Sequence, residues 1–133
     1  MTNATYLSPV PAAVNGKQNF VATATKGYKG VDLVAQSQYN RGPAGAVVNI
    51  SSADVATLVE VLQGDLSTPQ VFTASSVNYN TDAVRFDIEV TVEDKGFLTE
   101  MHFVPLGDFA PEPDCIAVWS AFLQDWIAIL SNV

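Results

Sequence analysis

From Val84 to Glu93 the chain alternates without a break. Val84, Phe86, Ile88, Val90 and Val92 fall on one side, and Arg85, Asp87, Glu89, Thr91 and Glu93 on the other. A period of two puts these sets on opposite faces of a β-strand, one dry and one wet and mainly acidic. A strand of this kind belongs to an antiparallel sheet with one face on a core and the other in water. Glu93-Asp94-Lys95-Gly96 then reads as a hairpin turn, and Phe97, Thr99, Met101 and Phe103 as the answering strand.

The same reading extends over the rest of the chain. Phe20, Ala22 and Ala24 alternate with Val21, Thr23 and Thr25. Lys26-Gly27-Tyr28-Lys29-Gly30 is a turn, and a second strand follows from Val31 towards Tyr39. After the Asn40–Gly45 breaker, Ala46 to Ile50 form a short apolar strand. Ser51 with Asp54 approximates a capping box, and Val55, Leu58, Val59 and Leu62 keep helical spacing, so a helix is predicted over about residues 52–63. A strand from Gln70 to Tyr79 precedes the alternating pair. The Pro-rich connection Pro105–Pro113 leads to a last predicted helix, about 115–130, with Asp114 as its N-cap. Residues 1–16, with Pro9, Pro11, Asn15 and Gly16, read as an extended N-terminal arm. Residues 17–133 then make a single α+β domain. Its antiparallel sheet or sheets follow a βββα-βββα order, with both helices on one side and a pseudo-repeat over 17–64 and 70–131.

At 133 residues, 48% hydrophobic and 15% charged, the chain can bury one core without disulfides or metal. Its one cysteine, Cys115, excludes an intrachain disulfide and fits a reducing compartment. No signal peptide is read at the N-terminus, and the apolar stretch Ile116–Leu130 is too short and too interrupted to span a bilayer. The expectation is a cytoplasmic protein without membrane contact.

Charge is divided by position. Residues 1–50 hold Lys17, Lys26, Lys29 and Arg41 against Asp32, whereas residues 51–133 hold Arg85 and Lys95 against thirteen acids, and the net charge is −8. A basic, aromatic-bearing first part can touch a polyanion while the acidic remainder repels it. The candidate contact residues are Lys26, Tyr28, Lys29, Tyr39 and Arg41. Tyrosine faces stack on bases, and the cations neutralise phosphates. The last predicted helix carries Trp119, Phe122, Trp126, Ile127 and Leu130 and is apolar on most sides. It is therefore expected to pack against another copy, making a homo-oligomer.

Two strands joined by a Gly-containing hairpin, followed by a strand entering a short helix, resemble the repeat of the Pur and Whirly families of single-stranded nucleic-acid-binding proteins. The resemblance is carried by Phe20–Lys26, Lys29–Val34, the Gly42-Pro43 break, Ala46–Asp54 and Leu58-Val59. It implies a curved antiparallel sheet backed by a helix, with single strands gripped by basic and aromatic side chains.

Enzyme signatures are not found. There is no phosphate loop, no Gly-x-Ser-x-Gly elbow and no Gly-x-Gly-x-x-Gly. One histidine, His102, cannot make a zinc pair, and Cys115 does not supply the missing ligands, so neither a metal nor another cofactor is expected. The sequence points to a non-enzymatic single-stranded DNA- or RNA-binding protein. The alternatives are an acidic inhibitor, anti-defence or immunity module whose Asp87/Glu89 face binds a basic protein, and a structural subunit of a viral-type assembly.

Overall fold

Eight antiparallel strands form one sheet in the computed structural model, which describes residues 7–27, 29–39, 45–78, 81 and 83–133. The elements are β1 (Val10–Val14), β2 (Lys17–Lys26), β3 (Val31–Ser37), β4 (Ala46–Ile50) and α1 (Ser52–Gln63). They continue with β5 (Gln70–Val77), β6 (Val84–Asp94), β7 (Leu98–Pro105), β8 (Asp114–Trp119), a 3₁₀ turn (Ser120–Phe122) and α2 (Leu123–Ser131). The strand order β4-β3-β2-β1-β8-β7-β6-β5 places two four-stranded meanders side by side, each followed by a helix. The α+β class agrees with the sequence reading, but the βββα-βββα order does not, because each half contributes four strands.

The fourth strand of each half comes from a segment read differently in the sequence. Val10–Val14 were assigned to the extended arm, yet they form β1, buried in the centre of the sheet. β8 pairs only with Ala12–Val14, so the N–H that Pro11 lacks leaves no gap in that ladder. Likewise, Asp114–Trp119 were assigned to the last helix and form β8. Ile116, Ala117 and Val118 are all buried, and a run buried on both faces loses the alternation that marks a strand. The β1–β8 ladder is reinforced by Asn15 in the adjoining turn. Its Oδ1 accepts from Cys115 N at 2.7 Å, and its Nδ2 donates to Asp114 Oδ1 at 3.1 Å.

The two outer strands, β4 and β5, approach each other and nearly close the sheet into a barrel. Side chains bridge this seam. Asn49 Oδ1 accepts from Val77 N at 2.9 Å and from Ser76 Oγ at 3.2 Å, while its Nδ2 donates to Asp32 Oδ1 at 3.0 Å. Asp54 Oδ2 accepts from Ser75 N at 2.8 Å and from Ser51 Oγ at 2.6 Å, and Ser51 N donates to Ser75 O at 2.9 Å. The Ser51/Asp54 cap expected from sequence therefore serves twice, starting α1 and satisfying the backbone N–H and C=O of Ser75 on the edge of β5. Gly30 makes the seam close: its φ is +77°, and an added Cβ would lie 2.7 Å from Val77 Cγ2.

The dry faces of the strands and both helices share one buried cluster, from Val10 and Ala22 through Leu33, Ile50, Val90 and Met101 to Leu58 and Trp126. Trp126 is fully buried, and its Nε1 donates to Met101 Sδ at 3.3 Å. Among the described residues no buried side-chain nitrogen or oxygen lacks a partner.

Candidate functional site

The structure divides the five candidate contact residues. Lys26 ends β2 opposite Val31, and Lys29 lies in the turn that joins them. Tyr39, 69% exposed, lies beyond Ser37 at the other end of β3. Val31 and Ser37 are six residues apart on one strand, about 20 Å. Tyr28 and Arg41 lie outside the described residues, as do most of the Asn40–Gly45 breaker and the Tyr79, Asn80 and Asp82 positions of the next one.

The seam gives the Lys26/Lys29 end new neighbours. Gly30 abuts Val77, and Val77 pairs with Val84, the residue before Arg85. Arg85 and Phe86 line two clefts of about 240 Å³ each. The first cleft is completed by Asp32, Val47, Asn49, Val77 and Pro111 at the seam. The second is completed by Leu106–Ala110 of the Pro-rich connection. The Arg85 guanidinium carbon lies 5.3 Å from the Phe86 ring centroid, within cation–π range. Phe109 stands fully exposed beside them, with Leu106 and Val84 exposed nearby. A cation, two aromatic rings and the backbone of a proline-stiffened loop thus share one surface, assembled from both halves of the chain.

The outward face of β6 and β7 has a different character. Asp87 and Glu89 are exposed, and among the described residues neither forms an ion pair. Further along the same face Glu93 Oε2 lies 3.6 Å from Lys95 Nζ and 3.6 Å from His102 Nε2. His102 Nε2 also lies 2.9 Å from Glu100 Oε1 and 3.8 Å from Cys115 Sγ. Burial pushes the Cys115 thiol up to about 11, helped by the negative charges of Glu100, Glu93 and Asp114.

The proposed interface between copies needs correction. Trp126, Ile127 and Leu130 are buried inside the chain itself, where α2 packs on the sheet and on α1. Trp119 ends β8 and is not part of the last helix, which holds Trp126. Of the five interface candidates Phe122 is the exposed one, at 40%. Among the described residues no helix is long and apolar enough to cross a membrane.

Comparisons with protein-family models, with curated proteins and with solved structures returned no match to this chain.

Sequence reasoning passed over Arg85 and Phe109. Arg85 reads as one more residue on a wet strand face, and only closure of the seam carries it to the β2–β3 turn. Phe109 did leave a signal. It is a large aromatic among Gly107, Asp108 and prolines, in a segment with no periodicity that would bury it.

Proposed function

We propose that this chain is a non-enzymatic protein that binds single-stranded nucleic acid through the seam surface around Arg85, Phe86 and Phe109, with Lys26 and Lys29 at its border. The observation that carries the reading is the fully exposed Phe109 ring beside the Arg85–Phe86 pair. An exposed ring costs solvation unless something stacks on it, and a base stacked on an aromatic side chain gains roughly 1–3 kcal/mol. Arg85 and the two lysines supply phosphate contacts, and the carboxylate of Asp32 at the cleft is engaged by Asn49. The acidic stripe of β6 repels the polyanion and confines it to the seam.

Fluorescence anisotropy with a labelled single-stranded oligonucleotide tests this. Binding is expected to weaken steadily as salt rises. Phe109→Ala should cost about tenfold in affinity, as expected for one lost stacking contact, and Arg85→Ala should also lower the salt slope. Equal binding by wild type and both variants contradicts the assignment.

A second reading rests on Asp87 and Glu89, exposed on the outward face of β6 and, among the described residues, without an ion pair. Such a face suits a basic protein partner, and electrostatic complementarity would speed its docking. Charge reversal at both positions would then abolish capture of that partner while leaving oligonucleotide binding intact.

A further inference from the structure

The outward faces of β6, β7 and β8 carry a second group of side chains that the seam does not use. Glu100 and His102 are two residues apart on β7 and so point the same way. Cys115 lies directly across from His102 on β8, and Glu93 directly across from Glu100 on β6. The ladder thus gathers an imidazole, a thiol and two carboxylates on one patch of sheet, all partly buried. One ligand atom from each of Glu100, His102 and Cys115 lies within 4.8 Å of the other two.

We infer that Glu100, His102 and Cys115 form a binding site for a divalent zinc-class cation, with water completing its coordination. Bonds of about 2.0–2.3 Å to a tetrahedral ion place neighbouring ligand atoms roughly 3.3–3.7 Å apart. His102 Nε2 stands 2.9 Å from Glu100 Oε1 and 3.8 Å from Cys115 Sγ, and all three donor atoms lie within 4.8 Å of one another, so small side-chain movements bring them round one ion. The donor set selects the ion. A thiolate with an imidazole favours zinc over calcium or magnesium, which take oxygen ligands. The charge balance agrees, because Glu93 and Glu100 place two negative charges beside the neutral thiol, and a dication is attracted to the carboxylates and to the thiolate left once the thiol proton departs. On binding, the thiol proton leaves to solvent and a sulfur–metal bond forms. Three strand-borne ligands on a rigid sheet also hold their positions better than ligands on loops. The sequence does not reveal this group, because the apolar run from Cys115 reads as a helix and only its pairing as a strand brings the thiol across from His102.

Titration of the full chain with Co²⁺ under reducing conditions tests the site, with Zn²⁺ affinity measured by competition against a chromophoric chelator. A thiolate-to-cobalt charge-transfer band should appear and saturate at one ion per chain, then vanish when Zn²⁺ displaces the cobalt. Cys115→Ser and His102→Ala should each weaken Zn²⁺ binding by roughly a hundredfold, and Glu100→Gln by about tenfold. These side chains lie on the outer face, and circular dichroism verifies that each variant is folded. Absence of the charge-transfer band at saturating Co²⁺ in the wild type overturns the site regardless of the variants. So does Zn²⁺ affinity unchanged in Cys115→Ser, which would reduce the group to His102 paired with carboxylates.

Discussion

Asn49 holds more of the fold than its half-exposed position suggests. Its amide bonds to β3 through Asp32 and to β5 through Ser76 and Val77, closing a gap that no backbone ladder spans. Asn49→Ala leaves Val77 N without a protein acceptor, and a stability loss of about 1–3 kcal/mol is expected in urea denaturation. Asn49→Asp keeps the acceptor but sets a second carboxylate against Asp32, so it should recover only part of that loss. Cys115 permits a different test. Its folded pKa of about 11 exceeds the ordinary 9.0, so the protonated thiol is the form that the fold favours. That contribution is complete below pH 9.0 and is lost as the pH rises towards 11. In metal-free protein, alkylation of Cys115 should therefore be slow at neutral pH and accelerate only towards pH 11, whereas the unfolded chain should react about two pH units earlier.

Among the elements, those with a clear period were legible in the sequence and those buried on both faces were not. The alternation of Val84–Glu93 and the capped spacing of Val55, Leu58 and Leu62 led to β6 and α1. In β8, by contrast, Ile116, Ala117 and Val118 are all buried, and a short apolar run of that kind is equally compatible with a helix. β1 was hidden by Pro9 and Pro11, which read as breakers until the limited β8 ladder shows why Pro11 fits there. The misplaced start of the last helix had a consequence: an apolar segment with no visible cover looked like a contact between copies. α2 is covered by its own sheet and by α1, and Trp126 is its deepest anchor. Trp126→Ala should cost about 3–5 kcal/mol through the cavity it opens, seen as a lowered urea midpoint. Phe122→Ala, on an exposed ring, should cost far less.

At the level of the whole molecule, the division of charge along the chain becomes a division of surface. The first meander carries one described acid on its strands, Asp32, and it is bonded to Asn49. The second meander turns Asp87, Glu89, Glu93 and Glu100 outward. Closure of the seam is the step that sequence could not foresee, since it is made by a few side chains and one backbone bond between residues far apart in the chain. That closure brings Arg85 out of the acidic half to the border of the basic one, beside Phe86 and Phe109. Titration of isotope-labelled protein with a single-stranded oligonucleotide, followed by NMR amide shifts, tests this account most directly. The expected result is salt-sensitive shifts concentrated at residues 29–32, 85–86 and 106–110, with Glu89 and Glu93 unmoved. Shifts centred on Glu89 and Glu93, or no shifts at low salt, would contradict it.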